Sequence, residues 1–163
     1  MRKRTAPLLA IVAVAALALL ASGASGLLAA NEGDQSLAGS WQMVVKPDSP
    51  PPGAPEEFVN LATFMPDGGF ITSTGSASDS LGHGTWGRID NRHFAVTCLG
   101  LSYDEAGAPA YMWKLRATLA YTEGRSELAG QWIIDIYDAT EHQWGTVATG
   151  TTRGVRINVE KLL

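Results

Sequence analysis

The sequence predicts an all-β chain, a single antiparallel up-and-down β-barrel of about eight or nine strands preceded by an N-terminal signal helix. Three observations predict it. Beyond residue 30, apolar residues recur with the period of two that marks a strand with one buried face, and hardly anywhere with a helical period. Turn signals rich in Gly, Pro, Asn and Asp recur roughly every ten to fifteen residues. The connections are too short for crossover helices, so consecutive strands pair with their neighbours, and closing the sheet removes its exposed edges.

The chain opens on Met1-Arg2-Lys3-Arg4, runs apolar from Leu8 to Ala21 and turns to small residues at Ser22-Gly23-Ala24-Ser25-Gly26. A basic cluster, a short apolar run and a small-residue segment form the layout of a secretory signal peptide. The apolar run is about fourteen residues, short of the ~20 that cross a bilayer. Cleavage after Ala24, Gly26 or Ala30 is expected, with retention as an N-terminal anchor the alternative. Residues 1–30 thus read as a leader and residues 31–163 as one barrel domain, secreted or periplasmic.

Without the leader, nine basic residues face sixteen acidic ones, a formal charge of about −7. That excess works against nucleic acid or an anionic membrane surface as partner, since both need basic patches. Membrane contact is expected only through an uncleaved leader, and the domain is expected to be a monomer or weak dimer. The single cysteine, Cys98, cannot form an intrachain disulfide. It reads as a small apolar strand residue alternating with Phe94 and Val96 rather than as a nucleophile.

Leu37 to Val45 reads as the first strand, ended by the proline-rich stretch Pro47 to Pro55. A second strand spans about Glu57 to Met65. It closes in Pro66-Asp67-Gly68-Gly69, a turn of residues that tolerate positive φ, and Phe70 to Thr74 returns. Gly75 to Ser80 carries no apolar anchor and reads as a mobile loop. Gly84 to Ile89 is the next strand, turned by Asp90-Asn91 into His93 to Leu99. After Asp104 to Gly107 comes the clearest alternation, with Tyr111, Trp113, Leu115, Ala117, Leu119 and Tyr121 on one face. Met112, Lys114, Arg116 and Thr118 take the other. Glu123-Gly124-Arg125 turns the chain into a strand where Trp132, Ile134 and Ile136 alternate with Gln131, Ile133, Asp135 and Tyr137. Past the Asp138 to His142 turn, two short strands, Trp144 to Thr149 and Val155 to Val159, complete the count.

Gly39-Ser40-Trp41 opens the first strand, and Arg153 and Arg156 lie in or just before the last. First and last strands are neighbours in a closed barrel, so the indole and a guanidinium can stack, a contact of ~0.5–2 kcal/mol. It would tie the chain ends together and cover one end of the barrel. The closure set Gly39, Trp41, Arg153 and Arg156 resembles that of the lipocalins and the wider calycin group, with Gly-x-Trp on the first strand and an arginine on the last. Over about Leu37 to Glu160 the chain is similar to small secreted bacterial lipocalin-like proteins. These share a Phe-x-x-Asp-Gly hairpin, here Phe64-Met65-Pro66-Asp67-Gly68, and a Gly-His-Gly-x-Trp segment, here Gly82-His83-Gly84-Thr85-Trp86. The larger lipocalins differ in carrying a C-terminal helix and disulfides.

A barrel of about eight strands holds either a packed core or one small ligand. Candidate cavity residues are Tyr111, Trp113 and Leu115, joined by Trp86, His83 and Arg116. His83 lies between two glycines, which permit close backbone approach. It reads either as a strand-entry residue in a tight bulge or as a general acid/base or polar contact at the barrel mouth. The Tyr111 face is expected inward; the alternative puts Lys114 and Arg116 inside as a carboxylate clamp. No metal-ligand spacing, phosphate loop, dinucleotide fingerprint or nucleophile elbow occurs, so neither metal nor cofactor is expected. The expected function is an exported barrel that binds a small apolar or amphipathic molecule. The alternatives are an isomerase or cyclase acting on a hydrophobic substrate, polarised by His83, Tyr111 or Arg116, and a filled barrel with a structural or protein-binding role.

Overall fold

A computed structural model describes residues 36–122 and 126–162; the expected signal helix and its cleavage sites lie outside the described residues. Eight strands follow in chain order: β1 (Gly39–Pro47), β2 (Phe58–Phe64), β3 (Gly69–Thr72), β4 (Gly82–Arg88), β5 (His93–Tyr103), β6 (Pro109–Tyr121), β7 (Glu127–Asp138) and β8 (Gln143–Arg156). Each pairs antiparallel with the next, and β1 also pairs with β8, so the sheet closes as an up-and-down barrel. No helix occurs among the described residues. The alternation read from the sequence decides which face points in. Along β5, Phe94, Val96, Cys98, Gly100 and Ser102 are buried while the residues between them are exposed.

Several element boundaries differ from expectation, and three of the differences have a plain local reason. The two short strands expected at the C-terminal end are one continuous strand, β8. Gly150 and Gly154, which resemble turn signals, are inward-facing wall positions. A methyl at Gly150 would stand 2.5 Å from the Trp132 ring, and one at Gly154 would collide with the Met43 thioether. The first strand begins at Gly39 rather than Leu37, because the Ser36, Leu37 and Ala38 carbonyls accept from side chains instead of from a neighbouring strand. The third difference is β4, which starts at Gly82 and takes His83 into the ladder, opposite Ile71 and Leu99.

One end of the barrel is a closed floor. Arg156 pairs with Trp41 in register and lays its guanidinium over the indole, 4.3 Å from the ring centroid. The same guanidinium donates to Ala38 O at 2.6 Å and to the Tyr121 hydroxyl at 3.1 Å. Tyr121 in turn donates to Ser36 O, and the Trp41 N–H to Leu37 O. Gly39 is required beside this knot: its φ is +130°, and a methyl there would lie 2.5 Å from Arg156 Nη1. Of the two candidate arginines, Arg156 makes the closure. Arg153 faces outward and pairs with Glu57 at 3.2 Å.

Above the knot, rings fill the lower lumen. Trp41, Tyr121, Phe94, Trp86, Phe64 and Phe70 follow one another with successive centroids 4.9–6.1 Å apart, in tilted and edge-to-face contacts. Such geometries suit the aromatic quadrupole. The Phe64–Gly68 hairpin and the Gly82–Trp86 segment meet here. Trp86 donates from its indole to Met65 O and from its backbone to Gly68 O, at 2.9 and 2.8 Å.

The opposite end, the mouth, is ringed by the β1–β2, β3–β4, β5–β6 and β7–β8 connections. The β3–β4 loop, expected to lack an anchor, is tied to β5 through polar groups rather than apolar ones. Ser80 N donates to Leu101 O and Tyr103 N to Ser78 O. The buried Ser102 hydroxyl donates to Asp79.

Candidate functional site

The lumen changes character along its length. Near the floor, Trp41, Phe64, Phe94 and Leu128 are fully enclosed. Toward the mouth, the inward faces of Val45, Leu115, Ala117 and Ile134 pack against the core but keep contact with solvent. These four come from β1, β6 and β7, with Leu115 opposite Ile134 in register. Trp113 and Trp132 complete the wall, each nearly buried. Both indoles lie flat because glycines back them. A methyl at Gly82 would stand 2.8 Å from Trp113 Cη2, and one at Gly100 would overlap the same ring. Along its length the lumen wall thus passes from fully enclosed side chains to half-buried aliphatic ones beside two buried indoles.

The expected cavity residues separate into three groups. Trp113 and Leu115 line the upper lumen, and Tyr111 stands at the mouth end of β6, largely exposed. Trp86 points inward but belongs to the aromatic floor. His83 and Arg116 are on the outer wall, because each falls on the outward parity of its strand. The structure therefore takes His83 and Arg116 out of the lumen set. The glycines beside His83 are explained by what they touch, namely Trp113, Thr72 and Cys98.

Arg116 has a defined outer role. It donates from Nε and Nη2 to the two oxygens of Asp135, at 3.0 and 3.1 Å, while Lys114 Nζ stands 3.6 Å from the same carboxylate. Thr146 adds a hydroxyl at 2.8 Å. Burial pushes the Asp135 carboxyl up, but the Thr146 hydroxyl, the Arg116 guanidinium and Lys114 outweigh it and hold the pKa below the ordinary carboxylate value. Lys114 also sits 4.1 Å from the Trp144 ring centroid, so the cluster is a braced outer patch across β6, β7 and β8. Beside it, a shallow outer groove of about 550 Å³ runs over Thr97, Thr118, Gln131, Thr149 and Thr151. Its lining also includes Val96, Ala117, Trp132 and Gly150, which stand at inward positions of β5 to β8.

Titratable groups at inward positions are few. Burial pushes the Cys98 thiol up to about 12, a backbone contact from Leu115 only partly offsetting it, so the sulfur stays protonated and inert. Arg156 is occupied by the floor. Among the described residues, no group of three His, Cys, Asp or Glu is placed to hold a metal, and no helix is long and apolar enough to cross a membrane.

One lumen residue escaped the sequence reading. Asn60 is the polar member of the inward set Phe58, Asn60, Ala62 and Phe64 on β2. Its alternation with those residues was the available signal. Asn60 Oδ1 and Trp113 Nε1 are the two buried side-chain polar atoms, among the described residues, with no hydrogen-bond partner.

No family model matches this chain, and no curated protein matches it.

Proposed function

We propose that this chain is an exported, lipocalin-like barrel that holds one small apolar or amphipathic molecule in its upper lumen. The observation that carries the reading is the change along the lumen wall. Below, Trp41, Phe64 and Phe94 are fully enclosed, with Trp86 half-buried beside them; above, Val45, Leu115, Ala117 and Ile134 present half-buried aliphatic surface. Small-molecule sites are concave, mainly apolar and supplied with a few polar anchors. Export is supported by the basic, apolar and small-residue order of residues 1–30. The lipocalin-like reading rests on Trp41 and Arg156 meeting where β1 closes on β8.

Intrinsic tryptophan fluorescence titrated with a panel of lipophiles, alongside thermal melts, tests the binding claim. Saturable quenching with a raised melting temperature is expected, and a flat response across alkanols, terpenoids and fatty acids would sink it. N-terminal sequencing of protein recovered outside the cytoplasm should begin at Ser25, Leu27 or Asn31. Intact residues 1–30 in the membrane fraction would replace the cleaved leader with an anchor.

A second reading has its own observation. Gly100, Gly150 and Gly154 admit Trp113, Trp132 and Met43 across the lumen, which also suits a filled barrel acting through its outer wall. A crystal structure whose upper lumen is closed by these side chains would select it.

A further inference from the structure

Among the described residues, buried polar side-chain atoms in the lumen are satisfied with two exceptions. Trp41, Trp86 and Trp132 each donate the indole N–H to a backbone carbonyl, at 3.0, 2.9 and 2.9 Å. Thr72 and Thr152 donate to Leu61 O and Val44 O, and Ser102 to Asp79. Trp113, which is 6% exposed, has nothing to donate to, and Asn60 Oδ1 has nothing to accept from. Leaving a buried donor or acceptor unmade costs roughly 1–3 kcal/mol, so two such atoms in one lumen call for a partner. Their placement is compatible with one. The Trp113 ring reaches the β3–β4 wall at Gly82, beside Thr72. Asn60 is the next inward position toward the mouth from Ala62, which is the register partner of Thr72.

We infer that the upper lumen reads a neutral head group that both accepts and donates a hydrogen bond, an alcohol or a carboxamide on a short apolar body. The inference rests on the binding function proposed above and narrows its ligand. The acceptor of the head takes the Trp113 N–H, and its donor reaches Asn60 Oδ1. An ionised carboxylate fits poorly because it brings no donor for Asn60. Among the described residues, the cations of β4, β6 and β8 are also engaged elsewhere, Arg88 over the Phe94 ring. Lys114 and Arg116 are outside on Asp135, and Arg156 is held by Ala38 O, Tyr121 and the Trp41 face. At the rim, Asp79 adds negative charge that disfavours anions entering.

The test compares 1-octanol, octyl methyl ether and octanoate at pH 8 by calorimetry, on wild type, Asn60→Leu and Trp113→Phe. Octanol should bind about tenfold more tightly than the ether, which keeps the acceptor and lacks the donor, and than the carboxylate. Asn60→Leu should erase the difference between alcohol and ether. Trp113→Phe should weaken both together and keep their difference, so that only Asn60→Leu separates the two heads, a contrast that general loosening of the core would not give. Equal affinity for all three heads, with the two atoms served by water only, overturns the inference but leaves a binding barrel. Tightest binding of octanoate also overturns it. Absence of binding by every probe overturns the proposed function itself.

Discussion

Trp41 has no exposed surface, a carbonyl acceptor for its N–H and a guanidinium across its face. Trp41→Ala should therefore destabilise the barrel by ~3–5 kcal/mol, read from denaturant melts. A loss under about 1 kcal/mol, smaller than truncation of a large core residue to alanine costs, would show the closure to be dispensable. Gly100 is the complementary case, a position where added volume harms. A methyl there overlaps the Trp113 ring, and Gly100→Ala should cost ~1–3 kcal/mol through overpacking. The cost should largely vanish in a Trp113→Leu background, as a double-mutant cycle would measure. An equal cost in both backgrounds would mean that the glycine answers to something other than the indole.

Among the elements, the β4–β5 hairpin carries a pH dependence. The Asp90 carboxylate accepts from the Arg92 backbone N–H, from the His93 ring and from the His93 backbone N–H, which together lower its pKa to about 2. An unfolded aspartate titrates near ~3.9. The folded value is the lower one, so the stabilisation is complete above that ordinary value and is lost as pH falls through the range from about 4 to about 2. Acid titration of wild type against Asp90→Ala should show wild type losing more stability over that window. Parallel curves would remove the turn from the acid response.

Strand existence was legible wherever alternation was long, as along β6, where Trp113, Leu115, Leu119 and Tyr121 point inward as expected. β8 was not legible as one strand. Gly150 and Gly154 carry the local signature of a turn, and only the bulk facing them, Trp132 and Met43, explains them as wall residues. Those partners lie on β7 and β1, beyond any local pattern.

At the scale of the molecule, closure was legible because it needed only the order of elements and a partner pair at the two ends. The sequence left two candidate arginines, and strand parity chose between them, placing Arg156 inside and Arg153 outside. The site was less legible. His83 and Arg116 drew notice by residue type, yet type does not report which side of a wall a residue takes. Asn60, in the right alternation, drew none because a lone asparagine is unremarkable until its neighbours are seen to be apolar and its oxygen unpartnered. The interior therefore had to be seen at the level of packing, where rings fill the lower half and aliphatic side chains meet solvent in the upper half.

The most direct measurement titrates the neutral fluorophore N-phenyl-1-naphthylamine into wild type and into Ala148→Phe. Ala148 stands opposite inward-facing Ile134, so a ring there occupies the upper lumen. Wild type should bind one equivalent with enhanced emission, and the variant should melt within a few degrees of it yet lose the binding. Equal binding by both proteins would place the ligand on the outer wall, and no binding by wild type would mean that the barrel is filled; either result contradicts a ligand in the upper lumen.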